Sequence, residues 1–80
     1  MSEFYAIIRG KFSFKSKEFL NGEVVKLTKN IDSLWDDFNP FDEDFHVVTV
    51  SQECYWKMGL GKIANLEIDH SCIYSKFYTL

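Results

Sequence analysis

The sequence has little of the residues that mark fibrous, disordered or disulfide-rich proteins. It contains one proline, four glycines and two cysteines in 80 residues. A collagen-like or low-complexity chain needs far more glycine and proline, and a small secreted disulfide scaffold needs more cysteine. Aromatic residues make up 18% of the chain, which is unlike the composition of a disordered segment. The composition therefore predicts a single globular domain over residues 1–80.

Long apolar segments are also missing. The uninterrupted apolar runs are only a few residues long, whereas a membrane-spanning helix needs about 20. Residues 1–9 show neither the basic start nor the long apolar stretch of a secretory signal. We therefore expect a cytoplasmic protein without membrane association. In that compartment Cys54 and Cys72 are expected to be reduced and to act as small apolar side chains.

Positive charge is absent from a long central segment. Residues 30–56 contain no Lys or Arg, although they contain seven of the twelve carboxylates. These carboxylates are Asp32, Asp36, Asp37, Asp42, Glu43, Asp44 and Glu53. We therefore expect the folded protein to have an acidic side, which repels nucleic-acid phosphate and attracts basic protein surfaces.

Alternating apolar residues predict strands in the first third of the chain. In residues 4–14, Phe4, Ala6 and Ile8 fall on one face, as in a half-buried strand. Asn21-Gly22 lies between two apolar runs and can supply the positive φ angles of a two-residue hairpin turn. We therefore predict a hairpin at that dipeptide, with its second strand over residues 23–28.

The spacing of apolar residues changes after residue 29. Four of them recur at positions i, i+3, i+4 and i+7, namely Ile31, Leu34, Trp35 and Phe38. This pattern predicts one short amphipathic helix over residues 31–38, with acidic residues on its opposite side. Thr28 or Asn30 can cap its N-terminus, and Asn39-Pro40 ends it.

The second half of the chain is predicted to consist of strands. Phe45–Val50 is rich in β-branched and aromatic residues, and its alternation continues through residue 58. Gly59-Leu60-Gly61 predicts the turn of a second hairpin, which returns over residues 63–69. A last strand is predicted over residues 72–78.

These elements give the order β-β-β-α-β-β-β. The order predicts an α+β domain in which about five to six antiparallel strands, curled or barrel-like, pack with one short helix. Large aromatic side chains are usually buried in so small a domain, so we expect Trp35 and Trp56 to lie in the core.

Residues with catalytic or metal-binding chemistry are present without the motifs that such chemistry requires. A zinc site or a Cys–His nucleophile pair could be drawn from His46, Cys54, His70 and Cys72. The close Cys-x2-Cys pair of structural zinc sites is missing, and nothing beside either cysteine would lower a thiol pKa. The Gly59-Leu60-Gly61-Lys62 segment lacks the spacing of a phosphate-binding loop. We therefore expect no enzyme activity, no metal and no cofactor.

Two alternative readings apply to the charged residues. The acidic segment Asp42-Glu43-Asp44 can form a solvated turn with no partner at all. A basic strand face that stacks nucleic-acid bases on aromatic side chains could be formed by Arg9, Lys11, Lys15 and Lys17. The formal net charge of -3 argues against this second reading, and we expect no direct nucleic-acid binding.

Residues 30–36 read Asn-Ile-Asp-Ser-Leu-Trp-Asp. This segment resembles Asn-Leu-Asp-Ala-Leu-Trp-Asp of the barstar family of ribonuclease inhibitors. The resemblance implies a helix whose acidic residue occupies the basic active site of a nuclease, with Asp36 as the phosphate mimic and Trp35 beside it. That family is mostly helical around a parallel sheet, whereas this chain after residue 41 has the pattern of strands. We therefore assign no family from these seven residues.

Together these features predict a small non-enzymatic inhibitor, of the kind encoded by phages or as a toxin-immunity partner. It would mimic phosphate charge and block a basic nuclease or nucleic-acid-binding site on a partner protein. The predicted partner-binding residues are Asp32, Asp36, Asp37, Phe41, Asp42, Glu43 and Asp44. The alternative is a homodimeric or subunit-type structural or regulatory module. Such a module would associate through a sheet edge formed by the first or the last strand.

Overall fold

The computed structural model describes residues 4–68 and 73–77. It contains five strands and two short helices in the order β-β-α-β-α-β-β. They are β1 (Phe4–Ser13), β2 (Glu18–Thr28), α1 (Ile31–Leu34), β3 (Phe45–Val50), α2 (Gln52–Lys57), β4 (Ile63–Glu67) and β5 (Ile73–Phe77). The predicted α+β class is confirmed. Neither helix in these ranges has the length and apolar character needed to cross a membrane.

The five strands form one sheet in the order β4-β2-β1-β3-β5, and every pairing is antiparallel. This arrangement differs from the parallel sheet that the barstar resemblance implies. β1 lies at the centre, so the first strand is not the exposed edge expected in the module alternative. β4 and β5 are the outer strands, and an isolated bridge between Ile68 and Ile73 brings them together at one corner.

The central strand is buried on both faces. Ala6 and Ile8 lie on the face covered by α2, which we call the α2 face, where they join one apolar core. Ile7 lies on the opposite α1 face, with Leu34 of α1 and Val47. The first half of the expected half-buried strand is therefore buried on both faces, because each face carries its own helix, whereas Arg9 and Lys11 in its second half are exposed. Complete burial of a side chain such as Ile7 stabilises the fold by about 1.5–3 kcal/mol.

The Asn21-Gly22 dipeptide forms a bulge inside β2 instead of the predicted hairpin turn. Asn21 has a φ angle of 51°, and the register between β1 and β2 shifts opposite it. The chain turns earlier, between the end of β1 and the start of β2. That turn pairs Phe12 with Phe19, whose ring centroids lie 5.0 Å apart. Burial of Phe19 thus sets the register, and the positive φ of Asn21 accommodates an extra residue in β2.

A helix replaces the predicted continuation of β3. The Ser51 hydroxyl accepts a hydrogen bond from the Cys54 N–H at 3.2 Å and caps α2. Cys54 and Met58, four residues apart, both face the sheet, whereas Trp56 between them is 65% exposed. Residues 54, 56 and 58 alternate as in a strand, but residues 54 and 58 also have the i, i+4 spacing of one helix face. The sequence pattern is therefore compatible with a strand or a helix. The expectation that Trp56 is a core residue is wrong for the same reason.

The last strands agree more closely with the sequence. β4 begins at the predicted residue, and along it Ala64 and Leu66 are half-buried while their neighbours are exposed. The Gly59–Gly61 segment connects α2 to β4, so it is not the hairpin turn that we predicted. β5 covers Ile73–Phe77, and residues 72 and 78 of the predicted strand lie outside the described residues.

The state of Cys54 differs from expectation. Its side chain is 7% exposed, as expected of a core residue, but it is disulfide-bonded and not a reduced thiol. Cys72 is the only other cysteine of the sequence and lies outside the described residues. A disulfide stabilises a small domain mainly by restricting its unfolded chain.

Gly10 allows a close approach of β1 and β2, and we predict that Gly10→Ala destabilises the protein by about 1–3 kcal/mol. A Cβ on Gly10 would lie 2.9 Å from the Gly22 Cα and 3.1 Å from the Leu20 carbonyl oxygen. Because these atoms belong to the backbone, the strands themselves would have to separate. Urea denaturation measures the loss of unfolding free energy.

Gly59→Ala is the matched control for this substitution. The nearest atom to a Cβ there is the Lys62 Cβ at 3.9 Å, an ordinary contact distance. We expect the control to change the unfolding free energy by no more than about 0.5 kcal/mol. Equal effects of the two alanine substitutions would contradict the close approach of β1 and β2 at Gly10.

Candidate protein-binding surface

The first part of the candidate surface is α1, which is one turn long and is held by its N-terminal cap. Asn30 Oδ1 accepts a hydrogen bond from the Asp32 N–H at 3.0 Å, as predicted. The Thr28 and Ser33 hydroxyl oxygens lie 2.9 Å apart, so the second predicted cap residue also contributes. α1 ends at Leu34, four residues before the predicted end, and turns continue the chain.

Two apolar side chains fix α1 and the following turns to the sheet. Leu34 is fully buried on the α1 face, and Phe38 packs against the same core. The Phe38 ring makes edge-to-face contacts with Trp35 at 5.8 Å and with Phe45 at 6.0 Å between centroids. Trp35 nevertheless remains 42% exposed, so it is not the core residue that we expected. Trp35 and Leu34 lie at the two borders of the apolar stripe, so the spacing alone did not show which of them would be exposed.

The second part of the surface is the loop between α1 and β3, which local hydrogen bonds hold in place. Asn39 Oδ1 accepts from the Phe41 N–H at 3.0 Å, and Asp42 Oδ1 accepts from the Asp44 N–H at 2.9 Å. These are the side-chain turns that Asn and Asp typically form. The Asp44 carbonyl oxygen accepts from the Gly10 N–H at 2.8 Å, which ties the loop to the central strand.

This loop holds Phe41 in solvent. The side chain is 94% exposed, the highest value among the exposed large apolar residues. Burial of an aromatic ring is favourable, so a fully exposed ring does not contribute this free energy to folding. Aromatic residues, including Phe, are enriched in protein–protein interfaces relative to the rest of the surface.

Two of the predicted carboxylates are paired within the molecule. Asp37 forms an ion pair with Lys26 of β2, and Asp42 Oδ2 lies 3.6 Å from Arg9 Nε of β1. The Arg9 guanidinium also lies 6.0 Å from the centroid of the Phe45 ring. Lys26 is paired with Ile7 across the strands, and Arg9 follows Ile7 by two residues, so both cations lie on the α1 face. These contacts attach the acidic residues that follow α1 and the Asp42-Glu43-Asp44 segment to the same side of the sheet.

Four of the predicted carboxylates, Asp32, Asp36, Glu43 and Asp44, have no cation partner among the residues that the structure describes. Asp32, Asp36 and Glu43 are all exposed, and none of them forms a salt bridge there. Asp44 is half-buried and serves the loop through its backbone. The unbalanced negative charge of the surface therefore comes mainly from Asp32, Asp36 and Glu43.

The two described residues among those considered for zinc or nucleophilic chemistry are engaged elsewhere. His46 is half-buried, its Nε2 lies 3.0 Å from the Gly10 carbonyl oxygen, and its ring lies 5.0 Å from that of Phe19. Cys54 is disulfide-bonded. Within residues 4–68 and 73–77 no group of His, Cys, Asp and Glu could hold a metal ion, and His70 and Cys72 lie outside those ranges.

An open cleft of about 440 Å³ adjoins the loop on the α1 face. Its lining includes Arg9 and Lys11, two residues of the basic strand face considered above, but also Glu23 and Asp44. Nucleic acid needs a groove with an excess of positive charge to follow its backbone. The mixed charge of this cleft therefore does not favour the nucleic-acid alternative.

We predict that Phe41→Ser leaves the unfolding free energy unchanged within about 0.5 kcal/mol, because its ring makes little contact with the protein. Phe38→Ala should cost about 2–4 kcal/mol, since it removes a ring that packs against the Leu34 core. Chemical denaturation of both variants measures the difference. A comparable loss in both would show that Phe41 is not held outward.

The chain was compared with protein-family models, with curated proteins and with solved structures. None of the three comparisons found a match. The role of the surface is therefore inferred from its own burial, contacts and charge.

Proposed function

We propose that the protein is a small non-enzymatic inhibitor that blocks a basic site on another protein. We call the region formed by α1 and the α1–β3 loop the acidic surface. Its contact residues would be Asp32, Asp36, Asp37, Phe41, Asp42, Glu43 and Asp44, together with Trp35. The partner would be a nuclease or a nucleic-acid-binding complex, as for a toxin-immunity or phage anti-defence protein.

The observation that carries this proposal is the exposure of Phe41 beside unbalanced carboxylates. A loop held by several hydrogen bonds keeps this ring 94% exposed, next to the exposed Glu43. Aromatic residues supply most of the binding energy at many interfaces, because a rigid ring buries a large area at a small entropy cost. A ring held in solvent in this way is best explained by a partner that covers it.

The charge of the surface selects the class of partner. Asp32, Asp36 and Glu43 carry negative charge that no described cation neutralises. Such a surface repels phosphate and accelerates association with a positively charged site. Asp37 and Asp42 are held by Lys26 and Arg9, so besides contacting the partner they would position α1 and the loop. A basic site that binds nucleic acid is complementary to this negative charge. Such a site would be blocked when the acidic surface occupies it.

The proposal places the protein in the cytoplasm, where nucleic-acid-processing targets occur. Glutathione and thioredoxin keep most thiols reduced there. Cys54 would then lose its disulfide, and the stability of the domain would depend on its two apolar cores. The acidic surface is attached to the sheet through Leu34, Arg9 and Gly10. None of these three attachments involves Cys54.

We predict that Asp36→Lys/Glu43→Lys weakens target binding at least about tenfold, because both reversals place positive charge against a basic site. The tagged wild-type protein and the variant are used to capture proteins from a bacterial lysate at low and moderate salt. A basic nucleic-acid-processing protein should be retained by the wild type and lost on the variant or as salt rises. The purified target should then lose its nucleic-acid binding or cleavage when wild-type protein is added.

Glu53→Lys/Glu67→Lys is the matched control. Both residues are exposed, both lie outside the acidic surface, and the change in net charge is the same. We expect this control to capture and inhibit the target as the wild type does, with circular dichroism confirming that both variants fold. Equal loss in the two double variants would mean that net charge, and not the acidic surface, determines binding. Full inhibition by Asp36→Lys/Glu43→Lys would refute the proposal.

A second candidate function is a homodimeric or subunit-type module that associates through a sheet edge. The position of β5 as an outer strand favours this candidate, because among the described residues its outer side is bridged at Ile73 and pairs with no further strand. Sedimentation equilibrium separates the two functions. The inhibitor is expected to be a monomer over the micromolar range, whereas a tight dimer at those concentrations would favour the module.

A further inference from the structure

A groove of about 170 Å³ lies between α2 and β4 on the α2 face. Its apolar lining consists of Val24, Cys54, Met58, Ala64 and Leu66. Cavities of about 150 Å³ with apolar walls can hold a benzene molecule. The groove is therefore large enough for one apolar side chain of a ligand.

The backbone of β4 shows which of its groups face β2. The Lys62 carbonyl oxygen accepts from the Val24 N–H at 3.4 Å, and the Ile68 N–H donates to the Lys17 carbonyl oxygen at 2.9 Å. Peptide groups of successive residues point to opposite sides of an antiparallel strand. The even-numbered residues between Lys62 and Ile68 therefore face β2, and the odd-numbered ones face away from it.

Ile63 and Asn65 consequently direct their N–H and C=O groups to the outer side of β4. β4 is the last strand in the sheet order, so no strand of the described chain pairs with that side. The bridge between Ile68 and Ile73 lies beyond the other end of β4. The unpaired edge is thus short, and it lies beside the half-buried Ala64 that lines the groove.

Positive charge lies at the start of this edge. Lys57 is the last residue of α2 and Lys62 directly precedes β4, and both line the groove, whereas no carboxylate does. Lys57 is paired with Glu53 at 3.0 Å, but both side chains are more than two-thirds exposed and such pairs contribute little. Lys62 forms no salt bridge within the described residues. A carboxylate bound here would face two cations in a protein whose net charge is -3.

We propose that this groove binds the C-terminal segment of a partner protein as an added antiparallel strand. The segment would exchange backbone hydrogen bonds with Ile63 and Asn65 and place one apolar side chain in the groove. An antiparallel strand ends where β4 begins, so its terminal carboxylate would lie near Lys57 and Lys62. This interaction is independent of the acidic surface, which lies on the opposite face of the sheet.

A second copy of this chain fits the groove less well. Two copies joined along β4 could pair their backbones, but Ala64 and Leu66 of each copy already face that copy's own groove. The exposed Ile63 and Glu67 side chains of β4 lie on the face opposite to Ala64 and Leu66, so neither copy would place an apolar side chain or a carboxylate in its partner's groove. The occupant must supply both, which a C-terminal peptide does.

The test is an NMR titration of ¹⁵N-labelled protein with N-acetylated peptides of sequence Thr-Val-Thr-Val-X. Here X is Leu, Phe or Lys with a free carboxylate, and the Leu peptide is also used as its C-terminal amide. We expect the Leu and Phe peptides to shift the amide resonances of Ile63 and Asn65. The amide form should bind roughly fivefold more weakly, because it lacks the charge that faces the two lysines. The Lys peptide should not bind.

Three variants test the parts of the site separately. Lys62→Glu should weaken binding of the Leu peptide about fivefold or more, whereas Lys15→Glu, an equal reversal in the exposed β1–β2 turn, should not. Ile63→Pro removes an outward N–H at the first residue of an outer strand, where proline is tolerated. It should abolish peptide binding while the rest of the spectrum is retained.

Several results would overturn the proposal. They are no shift at Ile63 and Asn65 with any peptide at about 5 mM, equal binding of the Leu peptide and its amide, and shifts confined to another face. A dimer that Ile63→Pro dissociates would assign the edge to a second copy instead. None of these results bears on inhibition through Asp36 and Glu43, so the two proposals can fail separately.

Discussion

The fold depends on the burial of β1 from both sides. Ile7 and Ile8 are adjacent in sequence and both are fully buried, yet they belong to different cores. Each core then holds one helix, with Leu34 anchoring α1 and Met58 helping to anchor α2. A chain of 80 residues gains little from a single small core, so a strand that supports two helices uses its apolar residues efficiently.

The acidic surface is an extension of the same strand. Where β1 leaves the two cores, Arg9 binds Asp42 and the Gly10 N–H binds the Asp44 carbonyl oxygen. These contacts hold the loop against a rigid element, and the loop in turn holds Phe41 outward. An interface on such a support loses little conformational entropy when it binds, which favours affinity. Stability and recognition therefore both depend on β1.

The sequence predicted the features that depend on local chemistry. The cap at Asn30, the strand Phe45–Val50 and the exposure of Asp36 and Glu43 follow from hydrogen bonding, branching and charge within a few residues. The bulge at Asn21 could not be predicted, because the pairing of Phe12 with Phe19 across the β1–β2 turn overrides the turn preference of Asn21-Gly22. The ion pairs of the site were equally hidden, since their cations lie on strands far away in the sequence.

The pairing of Phe4 with Val50 in the register of β1 and β3 also constrains the order of folding. β1 can pair with β2 as soon as that neighbouring strand is synthesised. The other edge of β1 cannot pair until β3 has been synthesised. β1, which precedes the other strands in the chain, is thus completed late, which is typical of slow-folding topologies with distant contacts. Until then the nascent chain exposes an apolar strand edge, the kind of segment that chaperones protect from aggregation.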